Sequence, residues 1–382
     1  MQTYDWIIIG AGITGASLSY ELTQQGFSVL LLDSQPNPPS ATRFSYGGIA
    51  YWSGTTDLTR QLCAESKAIY RTLSTELDAD IEFREIDLLL TIAPESDPAK
   101  LTAAYAHFAT PPQFLTVEAA CDLEPLLDPN GIAGALTVKH GHIHAEKTAQ
   151  AYIRAMQRSG TYKIATVTNL IKGGVNTTAG EFFADNVVFC IGALTRQFLK
   201  TAGIAIAQYF THAEVIEVPS SELRLSTLVM PAEAERFQLE AEASRDDAVW
   251  NQPGQEVAPA ILDAGAVQFR NGRIVIGQVS RALTDPNAAI DAVQSEADLR
   301  KKISRVLPKV GQLAGNWQHC LVAFSGDRLP LVGKIPGHET LHVFSGFGNP
   351  LAIVPPLARR YAIQVKGEPD PLLKQVSLDR FN

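Results

Sequence analysis

The sequence predicts an α/β protein whose first unit is a parallel sheet, and three observations in its first 33 residues carry that expectation. Residues 4–9, Tyr-Asp-Trp-Ile-Ile-Ile, form a short apolar run of the kind that makes a strand buried on both faces. Gly10-Ala11-Gly12-Ile13-Thr14-Gly15 follows as a G-x-G-x-x-G turn, and residues 16–25 continue as a helix with Ala16 and Tyr20 on one stripe and Leu18 and Leu22 beside it. After Gly26, residues 27–32 return as a second buried strand ending in Asp33. Each part of the turn has a physical task. Gly10 makes the tight bend, Gly12 lets the backbone approach a pyrophosphate, and Gly15 lets helix and strand pack closely. The helix N-terminus offers free N–H groups and a positive dipole end to phosphate. Asp33 can accept hydrogen bonds from a ribose diol, and its charge disfavours the 2′-phosphate of NADP. The stretch reads as a Rossmann-type dinucleotide-binding unit, with FAD and NAD both open at this point.

Composition bounds the rest. At 382 residues the chain is long enough for two domains, and 46% hydrophobic with 19% charged residues is ordinary for a globular protein. A net charge of −8 leaves no basic footprint, so nucleic acid is not expected as a partner. Cys63, Cys121, Cys190 and Cys320 are scattered without zinc or C-x-x-C spacing, which points to reduced thiols. No apolar run reaches the roughly 18 residues of a membrane span. The N-terminal apolar segment lacks a basic flank and a cleavage site, so a cytoplasmic protein is expected.

Along the chain, the proline-rich residues 34–40 read as irregular structure. Residues 41–52 hold Phe44, Tyr46, Gly47, Gly48, Tyr51 and Trp52, a loop suited to lining a ring-binding pocket. An amphipathic helix is expected over 58–77, a strand over 86–92, and a short helix over 116–124 with Glu118 and Glu124 solvated. His140, His142 and His144 alternate as on one strand face, a pattern that can bind a metal. Only Glu146 joins them, so a loop-edge histidine cluster before a helix over 145–159 is expected and no metal. Strands follow over 164–170, 173–176 and 181–184, and a buried one over 185–193, with Cys190 an inert core thiol. Asn271-Gly272 signals a hairpin whose residues Gln268 and Arg270 share a face open to ligand or water. A helix capped by Asp285 should run to about 307, and a last helix should span 354–365 after the glycine-rich turn 345–350, with Pro355 and Pro356 in its first turn.

These stretches together resemble the D-amino acid oxidase, glycine oxidase and sarcosine oxidase family of FAD-dependent oxidoreductases, over essentially the whole chain. The carrying residues are the Gly10 to Asp33 unit, Asp185-Asn186-Val187-Val188-Phe189-Cys190-Ile191-Gly192-Ala193, Asp327-Arg328-Leu329-Pro330-Leu331-Val332-Gly333, and the stretch 344–355. The resemblance implies FAD rather than NAD, and a Rossmann-type FAD-binding domain (1–82, 140–206 and 310–382) with an inserted antiparallel α+β substrate domain (83–139 and 207–309). It implies cofactor contacts from Gly10, Ala11, Gly12, Ile13, Thr14, Gly15, Asp33 and Ser34, and from Thr42, Arg43, Phe44, Gly47 and Gly48. Further contacts are implied from Val167, Cys190 and Gly192, then from Gly346, Phe347, Gly348, Asn349, Pro350 and Leu351. The chemistry it implies is hydride transfer from a C–H beside the nitrogen of a small amine or amino acid to flavin N5, with oxygen or another acceptor regenerating the flavin.

On the substrate side the chain departs from the family. Val322 stands where amino acid oxidases carry a carboxylate-binding Arg, and Pro350 where sarcosine oxidases carry a Lys. Val275 falls where their oxygen-activating Lys lies, and Phe347 where a His is usual. A carboxylate substrate would need another cation, and Arg43, Arg270 and Arg328 are the candidates, with Gln268 beside Arg270. Cys320 lies seven residues before Asp327, where sarcosine oxidases link covalently to the flavin, so it is a candidate for that bond or a buried apolar thiol. Two other readings share the resemblance: oxidation of a 2-hydroxy acid, and a non-enzymatic assembly factor holding FAD as a structural part.

Overall fold

The computed structural model describes residues 3–36, 38–233 and 235–381. Five parallel strands, Thr3–Ile9, Val29–Asp33, Thr161–Ile164, Gly180–Phe189 and His338–Ser345, form the first sheet. Taken as first to fifth in the chain, they lie in the order 3-2-1-4-5, the doubly wound arrangement. Leu331–Ile335 adds an antiparallel edge, and the hairpin Val167–Ile171 with Gly174–Thr177 pairs with Gly180–Phe189. The central strand is buried on both faces, as its unbroken apolar run predicts. Trp6 and Ile8 pack into one core, and Ile7 and Ile9 into the other. Helices Ile13–Gln24, Asp57–Leu77, Ala145–Met156 and Pro350–Lys366 cover the first of these faces.

The second sheet has nine strands and is mainly antiparallel, as expected for an inserted unit. Its order from the edge is Asn316–Ser325, Gln208–Val218, Ile274–Leu283, Glu256–Gln268, Leu228–Pro231, Arg84–Ile92, Gly134–His142 and Gly48–Ile49, with Gln113–Leu115 on Gly134–His142. Leu228–Pro231 and Arg84–Ile92 are its parallel pair. The Asn271-Gly272 turn closes the expected hairpin, with Gly272 at φ +84°. The edge strand Asn316–Ser325 lies in the segment assigned above to the FAD-binding domain, yet it pairs along Gln208–Val218 of this second sheet.

Three local expectations need correction. Asp285 caps a turn, accepting from Asn287 N–H at 2.9 Å, and the helix begins only at Ala292 under the Asp291 cap. The last helix starts four residues early, at Pro350, so Pro355 and Pro356 lie beyond its first turn. Pro355 has no N–H to give the Leu351 carbonyl, and the Tyr70 hydroxyl donates to that oxygen instead, at 2.8 Å. Glu124 is fully buried rather than solvated. Its carboxylate accepts from the backbone N–H groups of Ser226 and Thr227 at 2.7 and 2.9 Å.

Candidate functional site

The first and fourth parallel strands are neighbours whose connections leave in opposite directions, and a ligand crevice belongs beyond their C-terminal ends. A cleft of about 310 Å³ lies there. Its floor is the glycine turn. Gly10 sits at φ +99°, and a Cβ on it would stand 2.5 Å from the Cys190 carbonyl oxygen. A Cβ on Gly15 would stand 1.9 Å from the Gly10 oxygen, so the close approach of helix to turn requires glycine. Gly12 is the N-cap of Ile13–Gln24 without a side-chain cap bond, which leaves the helix end with N–H groups for an anion. Asp33 braces the turn, accepting from Ala11 N–H and Ser34 N–H, each at 2.7 Å. This donor set fits a dinucleotide: glycine floor and helix end for the pyrophosphate, and a carboxylate at the end of the second strand for a ribose.

The structure brings most of the expected cofactor residues to this cleft. Gly10, Gly12, Ile13, Thr14, Asp33 and Ser34 line one end with Thr42, while Cys190 and Gly192 line the side. Gly346, Phe347, Pro350 and Leu351 line the other end. Ala11 and Arg43 face a smaller adjoining hollow. Gly15 acts through packing, and Phe44, Gly47, Gly48, Val167, Gly348 and Asn349 stand outside the lining. Sequence reasoning missed Ser45, Ala145 and Leu194, and on the edge strand Leu321 and Ala323, which flank Val322, the position that the resemblance aligns with a carboxylate-binding Arg. The last three come from the second sheet, and no local pattern signals that sheet's approach.

Of the residues proposed for catalysis, none lines the main cleft. Arg43 donates to Glu217 at 3.1 Å and stands 3.6 Å from Glu146, and Arg273 shares Glu217 at 3.0 Å. Burial raises the Glu217 carboxyl, but the two guanidiniums outweigh it and hold it below the usual range. Gln268 secures a turn, accepting from Leu225 N–H at 3.1 Å and donating to the Leu223 carbonyl at 2.8 Å. Arg270 donates to the Phe83 carbonyl and lies 3.6 Å from Asp80. Arg328 donates to the Phe237 carbonyl and covers that ring. Asp33 is the only charged residue among the described lining of the cleft.

The histidines have separate partners. His140 accepts from the Trp52 indole at 3.0 Å, His142 packs edge-on to Phe269, and His144 caps the helix Ala145–Met156. Burial lowers all three, His140 to about 3 and His144 to about 4, so they are neutral at pH 7. Among the described residues, no three His, Cys, Asp or Glu side chains are grouped to hold a metal. Cys190 is buried and its thiol is pushed well up by burial; Cys320 is buried too and pushed up to about 12.

Comparison with known proteins agrees with this geometry. A family model described as FAD dependent oxidoreductase (DAO) matches residues 5–362. The glycine oxidase of Geobacillus kaustophilus (strain HTA426) is 26% identical over 242 residues, 59% of this chain and 64% of that one. The 4-methylaminobutanoate oxidase (formaldehyde-forming) of Paenarthrobacter nicotinovorans is 28% identical over 232 residues, 57% of this chain and 27% of that one. The matched stretches thus span less than two thirds of either relative. The solved glycine oxidase from Geobacillus kaustophilus superposes with a TM-score of 0.80 at 22% identity, covering 99% of both chains. The L-proline dehydrogenase from P. horikoshii does so at 0.80 and 16%, covering 100% of this chain and 98% of that one.

Proposed function

The chain belongs to the FAD-dependent oxidoreductase family, and from that footing we propose that it oxidises a small amine, or an amino acid whose carboxylate lies outside the cleft. FAD is the cofactor. When bound, it supplies the hydride acceptor, flavin N5, for a C–H beside the substrate nitrogen. The chain's own work is to hold and enclose. The glycine turn and helix end would hold the pyrophosphate and Asp33 the ribose, with Gly346, Phe347, Pro350 and Leu351 available to the ring. The observation that carries the substrate reading is the far wall of the cleft. Leu321, Val322 and Ala323 form it, and no cation lines it among the described residues. A carboxylate there would be desolvated without a partner, which tells against glycine and against 2-hydroxy acids. The domain division given above belongs to this reading, with Asn316–Ser325 counted in the sheet it joins. No described helix is long and apolar enough to cross a membrane.

The test is the visible spectrum of the FAD-loaded protein without air, titrated with primary and N-methyl amines, glycine, sarcosine, D- and L-amino acids and 2-hydroxy acids. Amines are expected to bleach the flavin fastest, and readmitted air then tells whether oxygen is the acceptor. Bleaching by 2-hydroxy acids alone, or by nothing, sinks the proposal.

We also propose that FAD is held without a covalent bond. Attack on the flavin needs a thiolate, and burial holds the Cys320 thiol at about 12. Acid precipitation is expected to leave all flavin in the supernatant. Yellow colour staying with the washed pellet, and lost from it in Cys320→Ser, would assign a covalent bond to Cys320 instead.

A further inference from the structure

Directly opposed residues of antiparallel strands share a face. Val322 of the cleft wall is opposite Thr211, and the next row holds Cys320, Ala213, Ser280 and Ile261. The row after that passes through Val215, Gly277 and Gly265. Asp263 sits on the same face, in the irregular stretch between Leu262 and Gly265, because its neighbours Leu262 and Ala264 point into the core on the other side. Tyr46 reaches this face from the loop beside the cleft and, like Asp263, is not itself part of the cleft lining. Ser45 before it lines the cleft, and the Tyr46 hydroxyl lies against Gly277, 2.9 Å from where a Cβ would be.

The patch is polar and incompletely paired. The Tyr46 hydroxyl and the Thr211 hydroxyl are buried without a partner, and Thr211 is 0% exposed. Asp263 is 8% exposed, and none of the ion pairs among the described residues engages it. The groups whose fields reach it are Glu235 and Arg236 from the helix Glu235–Ala243, Lys302 from Ala292–Ile303, Tyr105 from Pro98–Tyr105, and Tyr46. The Arg236 guanidinium is committed elsewhere, 2.7 Å from Glu240, while the Arg236 backbone N–H acts on the Asp263 carboxyl. A buried carboxylate beside unpartnered oxygens is costly unless a cation with several N–H donors joins it. An alkylammonium group is such a cation, and a carboxylate is not.

We propose that Asp263, with the Tyr46 hydroxyl, binds the protonated nitrogen of the substrate amine and takes its proton before oxidation. This rests on the amine reading above. In the step, one N–H bond of the ammonium breaks and one O–H bond forms on Asp263. No electrons change hands, and the nitrogen is left with the lone pair that oxidation of the neighbouring C–H requires. Burial first, then Glu235, raises the Asp263 carboxyl to about 6 against the opposing pull of Arg236 and Lys302, so it gives and takes protons near neutrality.

The test uses the FAD-loaded protein and two probes of equal shape. tert-Butylamine carries the ammonium but has no C–H beside nitrogen to oxidise, and pivalate carries a carboxylate. Binding is read by calorimetry and by perturbation of the flavin spectrum. tert-Butylammonium is expected to bind, with affinity rising about tenfold between about pH 5 and about pH 7 as Asp263 ionises. Pivalate is expected to bind at least about tenfold more weakly. Asp263→Asn should lose the pH dependence while keeping its FAD and its melting temperature at neutral pH, since a carboxyl raised by burial costs stability once ionised. Equal affinity for both probes in the unaltered protein, or an unchanged pH dependence in Asp263→Asn, overturns the assignment. The first of these readouts stands even if the variant does not fold. If amines bleach the flavin equally in both proteins, the amine reading survives and this one fails. If tert-butylammonium binds through Asp263 while no amine bleaches the flavin, this site stands and the amine reading fails.

Discussion

Gly15→Ala is expected to give a protein that retains no more than about a tenth of the FAD carried by the unaltered chain, equivalent to at least about 1.4 kcal/mol of lost affinity. The new Cβ would stand 1.9 Å from the Gly10 carbonyl oxygen and 3.0 Å from the Cys190 Cβ. Two of these atoms are backbone or next to it, so relief requires the helix Ile13–Gln24 to move off the turn. Overpacking of this kind costs about 1–3 kcal/mol in stability, and the displaced helix end also carries the N–H groups meant for the pyrophosphate. Gly26→Ala is the companion. Its Cβ meets nothing within 4 Å, and only φ +84° opposes it. That variant should lose about 1 kcal/mol of stability and keep its flavin. The ratio of visible flavin absorbance to protein absorbance decides between them, and full occupancy in Gly15→Ala would refute the packing argument.

The same glycine explains what the sequence could reveal. The turn, its helix and Asp33 interact within 33 residues, so apolar runs and glycine spacing were enough to read the cradle. The 3-2-1-4-5 order was not readable that way, because strands three and five arrive after excursions of more than a hundred residues. The substrate side failed for the same physical reason. Arg43 reads as a free cation in its own loop, but Glu217, 174 residues away, takes it together with Arg273. Gln268 ends its strand and Arg270 stands in the turn beyond it, and each is spent on holding backbone, at Leu223 and Phe83 respectively. Asp263 carried no motif at all. Its position follows from a strand irregularity and from which core Leu262 and Ala264 choose.

Glu124 is the sharpest such reversal, and Glu124→Ala is expected to destabilise the fold by about 3–5 kcal/mol. A glutamate at the end of a short helix, just before Pro125, reads as a solvated residue. In the fold it is 0% exposed, and one carboxylate oxygen accepts from the Ser226 N–H at 2.7 Å, the Thr227 N–H at 2.9 Å and the Thr227 hydroxyl at 3.1 Å. The other oxygen accepts from the Leu126 N–H at 3.3 Å. These bonds fasten the helix Val117–Leu123 to the lead-in of the strand Leu228–Pro231, whose neighbours include Glu256–Gln268 and so the strand carrying Asp263. Alanine would leave the Ser226 and Thr227 donors buried without partners, and each costs about 1–3 kcal/mol when unmet. Glu118→Ala, on the exposed side of the same helix, should change stability by no more than about 0.5 kcal/mol. Denaturant unfolding of the two variants side by side is the measurement. Equal, small losses would mean that water reaches Ser226 and Thr227 once the carboxylate is gone, and that the helix is not anchored through it.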